Sequence, residues 1–399
     1  MTPSRSPMAE GIDWTLECLA CGSTSTAEGL PTVCSCGQPW LVRYPKRRPG
    51  IMQRAEVRRR HGMWRFREFL PLRPFEEPVS LGEGDTPLIR LRRTATRLGV
   101  PHLWLKDEGI NPTGSFKARG LSAAITRATA AGMRRFTLPT AGNAGVAASA
   151  YAARAGAEVK VFAPDTTPRT ILSQIEAFGG ELVLSRGHIG DCGKASRAWA
   201  AESGAFDLST LREPYRIEGK KTLGLELALQ LAWKMPDVIL YPTGGGTGLI
   251  GMWKAFLELK EHGWVEGDLP RFYSVQSTGC APIVRAFEAG ADHAEEWNDP
   301  WTVASGLRVP GPLGDRLMLR ALRETNGGAV AVEDGVLTEA AVTVSREEGV
   351  DVSPEGGAAL AALEWLVGRG LVDRGETIVV FNTGAGWLYR QPGELRAER

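Results

Sequence analysis

The sequence predicts a parallel, doubly wound α/β fold, and three observations lead to that prediction. Short apolar runs rich in Val, Ile and Leu recur along the chain, and Ala- and Leu-rich segments at helical period separate them. Strands that are buried on both faces and alternate with helices are typical of parallel sheets. The third observation is that several runs end in a Thr followed by a glycine-rich loop. Ligands bind at such loops, beyond the carboxyl ends of the strands.

Taken in order, the elements divide the chain of 399 residues, which is too long for one simple core, into four parts. We predict a Cys-rich segment over 1–48, a basic linker over 49–79, a large domain made of 80–130 and 216–399, and a small α/β domain inserted at 131–215. Each domain is expected to contain an open, twisted, mostly parallel sheet. The segment SLGEGDTPLIRL at 80–91 is predicted to be a turn that leads into a strand. The other predicted strands are HLWLKD near 102, RFTLPT at 135, EVKVFAP at 158, ELVLSR at 181, DVILYPT at 237, RFYSVQS at 271 and TIVVFNT at 377.

Charge and composition exclude several classes of partner. Lys plus Arg total 47 and Asp plus Glu total 46, a formal net charge of +1, so we expect no nucleic-acid or membrane partner. The basic stretch 43–73 is either a solvated linker and helix face or a contact for a polyanion. The N-terminal residues lack the apolar core of a secretory signal, and Pro139 and Gly142 interrupt the longest uncharged run, 136–153. The sequence therefore predicts a cytoplasmic protein.

Four of the six cysteines lie close together, at Cys18, Cys21, Cys34 and Cys36. Their spacing is C-x2-C, then twelve residues, then C-x-C, so the second pair is one residue shorter than is usual. In a reducing compartment such a cluster is more often a metal site than a disulfide framework, and zinc binds four thiolates as a tetrahedron. We predict a small structural zinc ribbon, with free thiols as the alternative.

The loop GGGTG, formed by Gly244, Gly245, Gly246, Thr247 and Gly248, is the candidate anion site. It follows a predicted strand and opens the helix LIGMWKAFLELK. Consecutive backbone amides at the start of a helix bind a phosphate well. The glycines also fit G-x-G-x-x-G, but a dinucleotide site requires an acidic residue after the next strand, and that strand ends in VQS. We therefore favour a phosphate.

Lys117 lies in NPTGSFKARG, at the start of a predicted helix. The Asn-Pro pair predicts a rigid turn, and Gly114 permits a close approach of the backbone. An amine becomes nucleophilic at neutral pH when burial or a nearby positive charge lowers its pKa, and such lysines condense with carbonyl compounds. The alternative is a solvated lysine. A nucleophilic lysine and a separate phosphate loop together point to pyridoxal 5′-phosphate, an aldehyde that carries a phosphate.

Four segments, in this order, resemble the fold-type II pyridoxal-phosphate enzymes: NPTGSFKARG, TAGNAGVAASAYAARAG, PTGGGTGLIG and NTGAGW. That group has the tryptophan-synthase-β-like fold and contains threonine synthases and serine/threonine dehydratases. Three further features resemble the threonine synthases, namely SLGEGDTPL, the segment YRIEGKKT at 215–222, and the N-terminal Cys cluster. The resemblance covers nearly the whole chain after residue 80.

The resemblance implies a role for each matched residue. Lys117 would hold the cofactor covalently, Asn143 would bond its phenolic oxygen, and Thr383 would face its ring nitrogen. The amides of 244–248 would bind its phosphate. The loop Thr140-Ala141-Gly142 would bind the α-carboxylate of an amino-acid substrate.

For a threonine synthase, the implied reaction converts O-phospho-L-homoserine and water to L-threonine and phosphate. Lys117 would move protons at Cα, Cβ and Cγ of the substrate, which is general acid–base work by one amine. Arg216 and Lys221 of YRIEGKKT are the predicted ligands of the substrate phosphate, since cations bind phosphate. A solvated pair at a helix start is the alternative for these two. The resemblance also implies a homodimer.

Some positions depart from the threonine synthase pattern. Ala118 stands where many members have Asp, Asp85 stands where Asn is usual, Trp387 follows the GAG turn, and GGGTG is closer to the dehydratases. These departures do not affect the assignment of the cofactor, but they make the assignment of the substrate less specific. The alternatives are a serine/threonine dehydratase, a β-replacement enzyme acting on O-phosphoserine or a specialised amino acid, and a non-catalytic protein that binds the cofactor or an amino acid.

Overall fold

The computed structural model describes residues 14–45, 54–187 and 189–390. Residues 1–13 and 46–53, which belong to the predicted Cys-rich segment and basic linker, lie outside the described residues. Across the ranges that are described, no helix is both long enough and apolar enough to cross a membrane.

The N-terminal part of the described chain forms a small antiparallel sheet, in the order β2–β1–β3. Its strands are β1 (Thr15–Glu17), β2 (Thr24–Thr26) and β3 (Leu41–Arg43). Leu16 and Val42 of this sheet share a buried cluster with Leu121 and Ile125, which lie on the helix that begins at Lys117. The N-terminal sheet therefore packs against the element that carries the candidate nucleophile.

Ten further described strands form two larger sheets. They are β4 (Leu88–Arg90), β5 (Leu103–Asp107), β6 (Arg135–Pro139), β7 (Glu158–Pro164), β8 (Glu181–Ser185), β9 (Phe206–Asp207), β10 (Val238–Pro242), β11 (Arg271–Ser277), β12 (Gly328–Val332) and β13 (Ile378–Asn382). In the described chain, the larger sheet has the order β12–β11–β10–β13–β5–β4. All its pairs are parallel except the pair of β4 with β5. Every residue of the central strands β10 and β13 is buried, which explains why both strands are continuous apolar runs.

The smaller sheet has the order β8–β7–β6–β9 in the described residues, and all its pairs are parallel. Two open, mostly parallel sheets confirm the predicted fold class. The edge strand β12 was not among the predicted strands, because its sequence GAVAV consists of small residues in place of a strong apolar run. The strands of the smaller sheet come from residues 135–207, while the exact domain boundaries stay a prediction.

Helices cover both sheets. They are α1 (Arg54–Val57), α2 (Arg92–Leu98), α3 (Lys117–Ala130), α4 (Asn143–Arg154), α5 (Arg169–Ala177), α6 (Ile189–Ser203), α7 (Tyr215–Gln230), α8 (Thr247–Glu261), α9 (Pro282–Glu288), α10 (Asp315–Glu324), α11 (Asp334–Glu348) and α12 (Pro354–Gly368). Helix α7 is central, since all its residues from Tyr215 to Ala228 are buried. A Cβ at Gly224 would lie 2.8 Å from the Cβ of Ala255 on α8, and a Cβ at Gly219 would clash with the carbonyl of Arg119 on α3. The glycines of α7 thus allow it to pack closely against α3 and α8, the two helices that begin at the candidate site.

Candidate active site

Two adjacent parallel strands bring the glycine loop and Thr383 to the same edge of the larger sheet. Strand β10 pairs with β13, with Leu240 opposite Val380. Beyond its carboxyl end, β10 continues into residues 244–248, and β13 continues into Thr383. A cavity at this edge is lined by residues that include Lys117, Asn143, Thr383 and the whole loop 244–248. The structure therefore gathers the predicted cofactor-binding residues around one cavity.

Backbone hydrogen bonds hold the segment before Lys117 against the end of β13. The N–H of Phe116 donates to the carbonyl of Thr383 over 3.1 Å, and the N–H of Ala385 donates to the carbonyl of Gly114 over 2.8 Å. Gly114 has φ +70, a left-handed conformation that glycine adopts without strain. The motifs NPTGSFK and NTGA, far apart in sequence, thus form one unit that places Lys117 beside Thr383.

Lys117 is half-buried at the wall of the cavity. The pKa of Lys117 is lowered to about 7, chiefly by burial and also by the positive charge of Arg216, while the charge of Glu355 partly opposes both effects. The ammonium nitrogen lies 4.2 Å from the centroid of the Phe116 ring. An amine with this pKa is largely available as a nucleophile near neutral pH.

The glycine loop presents bare backbone at the start of α8. Gly246, which immediately precedes the helix, has φ +77 and is left-handed. A Cβ at Gly245 would lie 2.8 Å from the methyl group of Thr210, and a Cβ at Gly248 would clash with the hydroxyl of Tyr241. Gly245 and Gly248 therefore have no room for a side chain, and the loop's amides at a helix N-terminus suit a phosphate.

Asn143, the first residue of α4, is buried and incompletely bonded. Its Nδ2 donates to the hydroxyl of Tyr389 over a long 3.3 Å, and its Oδ1 has no partner among the described residues. Buried amide groups are almost always fully hydrogen-bonded, so this side chain is suited to a polar ligand atom. An amine for the aldehyde, an amide for a ring substituent and a bare-backbone loop for the phosphate together fit pyridoxal 5′-phosphate.

Arg216, at the start of α7, retains unused hydrogen-bonding capacity near Lys117. It is 1% exposed, and one of its terminal N–H groups donates to the carbonyl of Leu208 over 2.7 Å. Its Nε is buried and has no partner within the described ranges. Burial lowers the pKa of Arg216. A buried guanidinium with a free N–H donor can bind an anion, which would accept that hydrogen bond.

The structure does not bring Lys221 to this cavity, which corrects the prediction made for it. Its ammonium donates to Glu218 over 2.7 Å and to Glu258 over 2.8 Å, in a buried network behind the site. The physical reason is helix geometry, because five residues along α7 correspond to a rotation of about 140° relative to Arg216. Lys221 therefore links α7 to Glu258 on α8.

Lys220, the residue before Lys221, lies nearer to Lys117, against Phe116. Residues four apart lie on one face of a helix, so Lys220 shares the face of Arg216. Its ammonium is fully buried, donates to the carbonyl of Phe116 and lies 3.9 Å from the centroid of the Phe116 ring. Burial and the charges of Lys117 and Arg216 hold the pKa of Lys220 well below its usual value. The i, i+4 spacing was the signal in the sequence that could have identified it.

The predicted carboxylate loop, Thr140-Ala141-Gly142, lies directly before Asn143. The hydroxyl of Thr140 accepts hydrogen bonds from the N–H groups of Gly142 and Gly145, at 3.1 and 3.2 Å, and so closes the turn. Ala141 lines a neighbouring groove together with Arg186 and Arg308. The loop adjoins the cavity through Asn143, which lines it, and the loop's contact with a substrate stays a prediction.

Sequence reasoning missed several residues that line the cavity, among them Thr210, Ser305, Glu355 and Tyr389. Glu355 lies in the first turn of α12 and is 3% exposed, and burial raises its pKa. The sequence SPEGG has a capping Ser, a Pro and an acidic residue, which together predict a helix start. That signal could have located the helix, but it does not tell which cavity the helix start faces.

The four clustered cysteines meet at one end of the N-terminal sheet. Their sulfur atoms lie within 4.8 Å of one another, with Cys18 and Cys36 3.5 Å apart and Cys21 and Cys34 3.6 Å apart. A glycine with positive φ follows each pair, so each pair lies on a tight turn. Four converging thiols fit a tetrahedral zinc ion, and the shorter C-x-C spacing does not prevent their convergence.

The fold and the cavity define an enzyme that uses an aldehyde cofactor carrying a phosphate. The family model described as "Pyridoxal-phosphate dependent enzyme" matches residues 79–384. The chain therefore belongs to the pyridoxal-phosphate-dependent enzyme family.

Relatives within this family are threonine synthases. The threonine synthase of Methanocaldococcus jannaschii is 32% identical over 92% of this chain and 91% of its own. The threonine synthase of Bacillus sp. strain ULM1 is 35% identical over 80% of this chain and 88% of its own. Among solved structures, maize serine racemase superposes with a TM-score of 0.66 at 22% identity, covering 78% of this chain and 90% of that one. The last similarity concerns the fold alone.

Proposed function

We propose that this protein is a threonine synthase, which converts O-phospho-L-homoserine and water to L-threonine and phosphate. The observation that carries the proposal is the single cavity shared by Lys117, whose pKa is lowered to about 7, and the glycine loop 244–248. Similarity to curated threonine synthases over most of both chains supports this reaction over others in the family.

Pyridoxal phosphate would be held by the residues that border the cavity. The Lys117 amine would bind its aldehyde, the amides of 244–248 its phosphate, Asn143 its phenolic oxygen and Thr383 its ring nitrogen. When bound, the cofactor withdraws electrons from the amino acid and so labilises bonds at Cα. A hydroxyl at Thr383, unlike a carboxylate, does not force the ring nitrogen to be protonated.

The substrate would be bound at its two anionic ends. The loop Thr140-Ala141-Gly142 would receive the α-carboxylate, and Arg216 the phosphate through its unpaired Nε. Lys117 would take the Cα proton and return protons to the carbon chain, which suits an amine with a pKa near neutral pH.

The decisive test is incubation of the cofactor-loaded protein with O-phosphohomoserine, O-phosphoserine, threonine and serine in parallel. Phosphate together with threonine from O-phosphohomoserine would support the proposal. Keto acid and ammonia from threonine or serine, with no phosphate released, would identify a dehydratase instead. Lys117→Ala is the control, because it should remove turnover and the visible absorption of the bound cofactor together.

Three further properties belong to this proposal. The cluster of Cys18, Cys21, Cys34 and Cys36 would hold a structural zinc ion, which the convergence of the four sulfur atoms supports. The protein would be a cytoplasmic homodimer acting on a small amino-acid substrate. Light scattering combined with size-exclusion chromatography tests the dimer.

A further inference from the structure

Glu355 is an ionisable residue of the cavity that the proposed roles leave unused. Its Oε1 accepts hydrogen bonds from the hydroxyl of Tyr389 and from the N–H of Gly306, both over 2.8 Å. Its Oε2 is buried and has no hydrogen-bond partner within the described chain. The residue is 3% exposed, and it lines the same cavity as Lys117.

The structural contacts of Glu355 involve only one of its two carboxyl oxygens. Oε1 links the start of α12 to the loop at Gly306 and to Tyr389, which in turn contacts Asn143. Leaving Oε2 buried and unpaired is unfavourable, because a carboxylate has acceptor sites on both oxygens. Such an oxygen beside a ligand cavity is suited to bind a group that the ligand or a water molecule brings.

The proposed reaction needs a proton acceptor of this kind. Phosphate leaves from Cγ, whereas the new hydroxyl appears at Cβ, so water must add to the unsaturated carbon chain that remains. Lys117 is occupied with protons on the carbon atoms. The attacking water loses a proton as its oxygen bonds to carbon, and a positioned base accelerates that step.

We propose that Glu355 is the catalytic base that activates this water, an inference that rests on the proposed threonine synthase function. The water oxygen forms a bond to Cβ while one of its protons passes to Oε2 of Glu355. The electron pair of the Cα–Cβ double bond moves to Cα, which takes a proton from the ammonium of Lys117. Transfer of the proton from Glu355 back to Lys117 restores both residues, so one water molecule has been added and nothing else is consumed.

Glu355→Gln tests this role without removing the structural contacts, because an amide oxygen still accepts from Tyr389 and Gly306. Glu364→Gln is the matched control, since Glu364 lies on the same helix with a side chain 59% exposed and paired with Arg97. For each protein, cofactor binding is measured by its visible absorption, and phosphate, threonine, keto acid and ammonia are measured after addition of O-phosphohomoserine.

We expect Glu355→Gln to bind the cofactor and release phosphate nearly as wild type does. Its yield of threonine per phosphate should fall at least about tenfold, with keto acid and ammonia in its place, because the loss of a general base typically slows its step by about a hundredfold or more. The visible band of the bound cofactor should also titrate at lower pH than in wild type, because the charge of Glu355 favours a protonated nitrogen at Lys117.

An unchanged ratio of threonine to phosphate in Glu355→Gln would overturn the inference. Loss of phosphate release from a variant that still binds cofactor would overturn it too, because Glu355 would then act before water adds. Failure of the proposed function is distinguished by the wild type, which would then form no threonine from O-phosphohomoserine.

Discussion

Replacing Arg119 with Met should destabilise the protein by about 3–5 kcal/mol, because it removes one partner of a buried ion network. Arg119 lies on α3, two residues after Lys117, and is fully buried. Its guanidinium donates two bonds to Glu108, at 2.7 and 2.8 Å, and two to Glu226, at 3.0 and 3.1 Å. Lys106, which pairs with Glu226 at 2.6 Å, would be left to neutralise two buried carboxylates.

The loss should depend on pH. Burial alone would raise the pKa of Glu108 and of Glu226, but the charge of Arg119, aided by Lys106, outweighs it and holds both values below their usual range. Lowered pKa values add stability above the unfolded value of about 4.3, and this stability is lost as the pH falls through the folded values. In the variant, burial is opposed by Lys106 alone, so both pKa values rise. The destabilisation should therefore be larger at pH 7 than at pH 5.

Equilibrium unfolding in urea, followed by circular dichroism at the two pH values, measures this effect. Arg119→Lys should lose an intermediate amount, since an ammonium cannot make the two parallel bonds to Glu108. Arg320→Met is the control, because the pair of Arg320 with Glu324 is exposed and should contribute less than about 1 kcal/mol. A loss in Arg119→Met no greater than in this control, or equal at both pH values, would refute the reasoning.

Three other predictions concern the site and the ribbon. Gly248→Ala should abolish cofactor binding, measured by a visible-absorption titration, because the added methyl group would clash with Tyr241. Gly335→Ala is the control and should bind the cofactor normally, because Gly335 is also the second residue of a helix but has open space around it. The rate at which the cofactor-free protein attaches the cofactor should rise with pH and level off just above 7, since the pKa of Lys117 is lowered to about 7. Arg216→Met should move that midpoint upward, whereas a wild-type midpoint near 10, the value of an ordinary lysine, would contradict the assignment. Metal analysis of protein kept reduced should find about one zinc ion per chain and a much lower content in Cys34→Ser, and a wild-type ratio near zero would exclude the zinc ribbon.

Much of the fold was predictable because its signals are local. Strands β10 and β13 are buried along their whole length, so each is an apolar run that needs no knowledge of its neighbours. Strand β12 lies at the edge of the sheet and is made of small residues, so it gave no such signal. Its place was decided by pairing with β11.

The sequence by itself determined the chemistry of the cofactor site, because Lys117 and the glycine loop each lie within a short segment whose turns and helix start follow from adjacent residues. Only the tertiary structure decided which other charges reach that site. The rotation of α7 directs Arg216 and Lys220 toward Lys117 and its neighbour Phe116, and sends Lys221 to a separate ion network. Glu355 reaches the cavity only because α12 packs beside β13, an arrangement set by burial of apolar surface between distant segments.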